Sequence, residues 1–301
     1  MSVRFRPPES YLENTKQTFI LVDYSNLLYR AWFVSSKRAN VAYSKFFDML
    51  RLCVKRSKQE NVPIKVIFAG ESVTELDRKK IFPDYKGTRG TIEDPKFKKF
   101  KEGLPELLRF VGWEVISVDG AEADDIIATI VANYCYREDS VNSNLLIDKD
   151  PGNTDIVIFS GDRDLQQCLA WDRTFIYRAP GLFVTKASYE EDQGIPVSKY
   201  HIYKALTGDK SDNIKGVEGF GPVKAVLAIK SHSVAESIWE MRGEEGRKEF
   251  DLALKLVNLD CKLDVDLDSL YLGPPIFDDA TFMKSYDYKI LLELQRLKEE
   301  F

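Results

Sequence analysis

Histidine is nearly missing from this chain: the 301 residues include two, His201 and His232. That scarcity argues against imidazole acid–base chemistry and against a zinc site, both of which draw on this side chain. Cysteine is also sparse. Cys53, Cys135, Cys168 and Cys261 are scattered without the paired spacing of a metal knuckle, so reduced thiols in a cytoplasmic setting are expected. No apolar run approaches the roughly 18 residues that suggest a membrane span, so no membrane partner is expected. The first 17 residues form a polar, Pro-containing tail with no apolar signal core. Internal repeats and low-complexity tracts are absent as well. With a net charge of −5, the chain lacks the overall basic surplus that ordinarily marks a nucleic-acid binder. If the acids gather at one place, however, their distribution matters more than their sum.

They do gather. Four short apolar runs each lead into carboxylates. Phe19-Ile20-Leu21-Val22 ends in Asp23, and Lys65-Val66-Ile67-Phe68 leads through Gly70 to Glu71. Val115-Ile116-Ser117-Val118 leads to Glu122, Asp124 and Asp125, and Ile156-Val157-Ile158-Phe159 to Asp162 and Asp164. Continuous apolar runs followed by helical patterns are how strands buried on both faces read. The expected fold is therefore α/β, a doubly wound and mostly parallel sheet over 18–187, with a helical region over 188–301. Ligands of such sheets bind beyond the carboxyl ends of the strands. At least seven acids converging there call for cations, and all-oxygen ligands suit two hard ions, Mg²⁺ or Mn²⁺. The polar stretch Arg137–Gly152 reads as a surface insertion.

Three further stretches carry chemistry. Glu122-Ala123-Asp124-Asp125 opens a helix, where one acid would merely offset the helix dipole but three suggest a metal site. Asp209 and Asp212 precede a turn with Gly216, Gly219 and Gly221, which enters a helix at Pro222 and carries Lys224 early in it. Such a turn brings backbone N–H groups close to phosphate, although Gly-rich turns alone are usually plain loops. Tyr85-Lys86-Gly87-Thr88-Arg89, followed by Lys96, Lys98 and Lys99 with interleaved Phe97 and Phe100, supplies cations and a ring that could stack on a base. A solvated loop and helix face is the plain alternative for this segment.

Taken in order, these motifs resemble the 5′-nuclease family: flap endonucleases, the nuclease domain of bacterial DNA polymerase I, and stand-alone phage 5′-exonucleases, the last being most similar. The resemblance covers residues 18 to about 260. It implies a Mg²⁺-dependent phosphodiesterase acting on DNA at 5′ ends, flaps and single-strand/duplex junctions, with RNA of RNA–DNA hybrids a further substrate. A monomer in the cytoplasm is expected, the host's if the source is a phage. By motif match Asp23, Glu71, Glu122 and Asp124 would hold one ion with Asp125 nearby, and Asp162, Asp164, Asp209 and Asp212 the other. Lys86 and Arg89 would meet the scissile phosphate at the foot of a helical arch, about 82–110 here. The glycine turn would form part of a helix–turn–helix on duplex DNA, in the family often with K⁺. Glu71 departs from the family's usual aspartate, and the arch segment is shorter than in the phage enzymes. The rival readings are a PIN-type ribonuclease, which shares the strand-end acids, and a structure-specific DNA-binding protein without catalysis.

Overall fold

The computed structural model describes residues 15–135, 153–231, 233–259, 261–267, 270 and 272–301. The expected insertion at Arg137–Gly152, nearly all of the N-terminal tail and His232 lie outside the described residues. In chain order the elements are β1 (Gln17–Asp23), α1 (Tyr24–Val34), α2 (Ala39–Ser57), β2 (Ile64–Ala69), α3 (Asp77–Ile81), α4 (Pro95–Phe110), β3 (Val115–Ile116) and α5 (Ala123–Tyr134). After residue 152 follow β4 (Thr154–Phe159), a 3₁₀ helix (Asp164–Ala170), β5 (Thr174–Arg178), β6 (Leu182–Val184), α6 (Lys186–Gln193) and α7 (Tyr200–Thr207). The chain closes with α8 (Pro222–Lys230), α9 (Val234–Val257), α10 (Asp279–Ser285) and α11 (Tyr288–Lys298).

The strands form one sheet in the order β3-β2-β1-β4-β5-β6. All neighbours are parallel except the final β5–β6 pair. β1 sits at the centre, in register Leu21 with Ile67 on one side and with Ile158 on the other. The chain runs outward from β1 to β2 and β3, then returns to place β4 on the opposite side. The carboxyl ends of β1 and β4 therefore flank a topological switch point, where open parallel sheets form a binding crevice.

Continuous apolar strands are required because both sheet faces are covered. Alternate residues divide between them, as strand geometry dictates. Ile20, Val22, Val66, Phe68, Val157 and Phe159 face a core completed by α1, α2, α4 and α11. Phe19, Leu21, Ile67, Ile156 and Ile158 face a second core built on α5 and the 3₁₀ helix.

α4 forms the second half of the segment expected as an arch, and it packs against the first core. Phe97, Phe100, Leu104, Leu107 and Leu108 bury one face of α4 in the first core, with Phe97 and Phe100 against Trp32. The interleaved aromatics are thus packing residues, and the lysines occupy the helix's outer face. The C-terminal part also divides. α7, α8 and α9 surround a small core of Leu206, Val217, Phe220, Ala225 and Ile238. α11 instead returns to the first core through Ile290, Leu291, Leu294 and Leu297.

Candidate active site

Asp23 ends β1 and caps α1: its Oδ1 accepts the Asn26 N–H at 3.0 Å, and its Oδ2 accepts the Ser160 hydroxyl at 2.8 Å. One residue thus ties the ends of β1 and β4 together. Burial, reinforced by Asp162 and Glu71, pushes its carboxyl up to about 6. Glu122 and Asp125 form the capping box that starts α5. Asp124, between them, is held well above the usual carboxylate range by burial and by the charges of Asp162, Asp23, Glu122 and Asp164. After β4, Asp162 Oδ1 accepts the Asp164 N–H at 2.9 Å, closing a tight turn.

Asp23, Glu71, Glu122, Asp124, Asp162 and Asp212 line one cleft of about 590 Å³, together with Lys86 and Arg89. Its other wall is a stripe of α1, Asn26, Tyr29, Arg30 and Phe33, at the spacing of one helix face. Asp212 is 5% exposed and reaches the cleft from the loop after α7. Lys86 bonds Glu122 and lies 3.9 Å from Glu71, while Arg89 pairs with Asp212. Burial opposes the Lys86 charge, but Glu122, Asp212 and Glu71 outweigh it and hold the ammonium above its usual range. Glu71 is the most open acid of the set, its side chain 44% exposed.

Two of the acids stand beside the cleft rather than in it. Asp164 lies 2.7 Å from Lys204 Nζ, which also bonds Asp209. Burial pushes Asp164 up to about 6 in spite of Lys204. For Asp209, bonds from Lys204 and Ser211 overcome burial and pull the carboxyl down to about 2. Among the described residues no three carboxylates converge closely enough for a ready-made cation cage. Lys86, Arg89 and Lys204 neutralise the cluster from within the chain.

A family model described as the 5′-3′ exonuclease N-terminal resolvase-like domain matches residues 18–195, more than half of the chain. The chain belongs to the 5′-3′ exonuclease family. A 5′-3′ exonuclease of Aquifex aeolicus is 28% identical over 83% of this chain and 84% of its own length. DNA polymerase I of Pseudomonas aeruginosa is 27% identical over 85% of this chain, which spans 29% of that longer protein. Among solved structures, the D15 protein of T5 co-crystallised with metal ions shares the fold, with a TM-score of 0.62 and 19% identity over 94% of this chain and 99% of that one.

Within this family fold, two expected roles are changed by the geometry. Tyr85 is 2% exposed and cannot stack on a base; its hydroxyl lies 2.8 Å from Glu122 Oε2 and 2.9 Å from Asp212 Oδ2, where it orients both. Asp125 does not line the cleft; both its oxygens are engaged by Arg78, Oδ2 by Nη1 at 2.5 Å and Oδ1 by Nη2 at 2.7 Å. Arg78 also donates to Glu122 Oε2 at 2.8 Å and to the Leu256 and Asn258 carbonyls at 2.9 Å each, joining the end of α9 to the acids. A separate cavity of about 730 Å³ lies behind this pair.

The glycines of the 208–221 connection also differ in purpose. A Cβ on Gly216 would fall 2.4 Å from the Gly208 nitrogen and from the Leu206 carbonyl, so the chain's own backbone crossing requires that glycine. Gly219 has a φ of +86°, whereas a Cβ on Gly221 would meet nothing within 4 Å. Lys224 is exposed on α8, and Lys96, Lys98 and Lys99 on α4; none of them lines the cleft. Sequence reasoning missed Arg78, Lys204 and the α1 wall. Lys204 lies on α7 and Asp209 in the loop after it, a pairing that helical spacing does not signal. Arg78 sits in an Arg-Lys-Lys run that reads as solvated surface.

Proposed function

We propose that the protein is a structure-specific 5′-nuclease that hydrolyses DNA phosphodiester bonds, as a 5′→3′ exonuclease and flap endonuclease, with two Mg²⁺ ions. The observation that carries this reading is the convergence of six carboxylates and two cations on one cleft at the sheet's switch point. The donor set fits hard cations. It is all oxygen, and burial pushes Asp23 up to about 6, so a cation beside it would favour its charged form. Asp23, Glu122 and Asp124 would hold one ion, with Glu71 reaching it through water. Asp162, Asp164 and Asp212 would hold the other, with Asp209 beside them. Such ions, when bound, activate water and stabilise the attacking and leaving oxygens.

The chain's own residues do the remainder. Lys86 and Arg89 leave their ion pairs with Glu122 and Asp212 to neutralise the oxygens of the scissile phosphate, where charge grows in the transition state. Tyr85 lies between Glu122 and Asp212, and Arg78 holds Glu122. Lys204 limits repulsion between Asp164 and Asp209. Duplex DNA would lie along the α7–turn–α8 unit as on a helix–turn–helix, with its backbone near Gly221 and the N-terminus of α8. Incubating the protein with labelled flap, gapped and single-stranded DNA and with RNA, in Mg²⁺ or EDTA, tests this. Mg²⁺-dependent cleavage of flap DNA is expected, and cleavage of RNA alone would refute the assignment.

A further inference from the structure

Several buried or half-buried arginines in this protein find acids. Arg78, Arg89 and Arg173 are paired with Asp125, Asp212 and Asp155. Four others gather around the 178–181 turn at the end of β5, and none has a carboxylate within ion-pair distance among the described residues. Arg30 donates from Nη2 to the Ala179 carbonyl at 2.7 Å, and its Nε is buried without an acceptor. The Arg56 guanidinium packs on Gly181, where an added Cβ would lie 2.8 Å from its central carbon. Arg178 has both Nε and Nη2 buried without an acceptor. Burial lowers the Arg178 pKa, the exposed Arg163 adds repulsion, and Tyr200 and Asp162 offset only part of this.

Burying guanidinium N–H groups without acceptors carries a desolvation cost for each group left unsatisfied. Crowding like charges beside them adds to that cost. The cost is recovered if an anion completes the cluster, and the planar fork of arginine matches phosphate oxygens. The location narrows the choice of anion. Arg30 lines the acid cleft, Arg163 follows the cleft residue Asp162, and the strand order places this turn across the switch point from Lys86 and Arg89. A polyanion lying over the acids would have cations at both edges of the cleft.

We propose that Arg178 and Arg163, backed by Arg30 and Arg56, form a phosphate subsite at the β5 edge of the cleft. It takes an internal phosphate of the DNA strand whose neighbouring phosphodiester lies over the carboxylates. The inference rests on the nuclease reading and adds to it a second anchoring point, which fixes how the strand crosses the sheet edge.

The test is anisotropy of labelled flap DNA with the full-length protein in Ca²⁺ over a series of salt concentrations. Arg178→Ala and the exposed Arg163→Ala should each weaken binding about tenfold and lower the slope of log K against log salt by about 0.7–0.9, the loss of one phosphate contact. Arg109→Ala, an equal charge change on the outer face of α4, should leave both unchanged. Replacing single phosphates by methylphosphonate should locate one position whose neutralisation weakens wild-type binding but not Arg178→Ala binding. The position should be internal, with 5′-phosphate and 5′-hydroxyl ends bound alike. Dependence on the terminal phosphate alone would overturn the internal assignment. Equal losses in Arg109→Ala, or none in Arg163→Ala and Arg178→Ala while wild type binds and cleaves, would overturn the subsite alone. A wild-type protein that binds no DNA would overturn the nuclease reading as well.

Discussion

Replacing Arg78 by methionine separates what this residue does for folding from what it does for the site. Arg78 is 9% exposed and Asp125 is 3% exposed, so the pair is buried. Removing one member strands a buried carboxylate at a cost of about 3–5 kcal/mol. Total stability for a domain is on the order of 5–15 kcal/mol, so Arg78→Met consumes a large share of it. A second change, Asp125→Leu, removes the stranded charge, and buried pairs replaced by apolar residues of similar volume are often nearly neutral. The double variant should therefore recover at least half of the loss in urea denaturation. It should not recover function. Glu122 Oε2 has lost its 2.8 Å bond from Arg78, and losing such support of a metal ligand costs about 10–100-fold in metal affinity or activity. The Mg²⁺ concentration for half-maximal cleavage should rise by that factor while saturating Mg²⁺ restores much of the rate. A double variant as unstable as Arg78→Met would refute the energetic argument. Normal Mg²⁺ dependence in it would refute the positioning role.

Asp23 and Asp164 are pushed up to about 6, so the folded, metal-free protein binds protons more readily than the unfolded chain. Their ionisation destabilises the fold above pH 6, and the penalty is relieved as pH falls from about 6 toward the unfolded value near 4. In EDTA the melting temperature should rise between pH 7.5 and pH 5, and Mg²⁺ should raise it more at pH 7.5; a larger Mg²⁺ effect at pH 5 would contradict the assignment. Glu71→Gln, at the most open acid, should need more Mg²⁺ yet keep activity at saturation, whereas Asp124→Asn should not be rescued; the paired Mg²⁺ titrations decide whether Glu71 contacts the ion directly. Gly221→Phe adds a ring where a Cβ meets open space, so thermal melts should be unchanged while duplex affinity in Ca²⁺ falls about tenfold or more; undiminished affinity would place DNA elsewhere.

The central strands were legible because burial on both faces leaves continuous apolar runs, and the acids were legible because each follows such a run. Direction was harder to read. Tyr85 sits among Pro83, Asp84, Lys86 and Gly87, a composition typical of solvated turns, yet its ring is buried and its hydroxyl meets two carboxylates. Asp125 has the same chemistry as Asp124, and only the helical rotation toward Arg78 separates their fates. Phe97 and Phe100 among lysines suggested a nucleic-acid surface, but their three-residue spacing is that of one buried helix face. The return of α11 to the first core depends on contacts across most of the chain, with Glu293 and Glu300 reaching Arg51, and local pattern carries no trace of such pairings.

The ions for phosphodiester hydrolysis are assigned to the cleft's carboxylates, and the whole mechanism depends on that assignment. It is tested most directly by single-turnover cleavage of flap DNA in Mg²⁺ by wild type and Asp162→Asn, with affinity measured in Ca²⁺. Asp162→Asn should lose at least about a thousandfold in rate, on the order of 4 kcal/mol of transition-state stabilisation, while binding flap DNA as tightly as wild type or more tightly. Near wild-type cleavage by Asp162→Asn, or wild-type cleavage that persists in EDTA, would contradict the account.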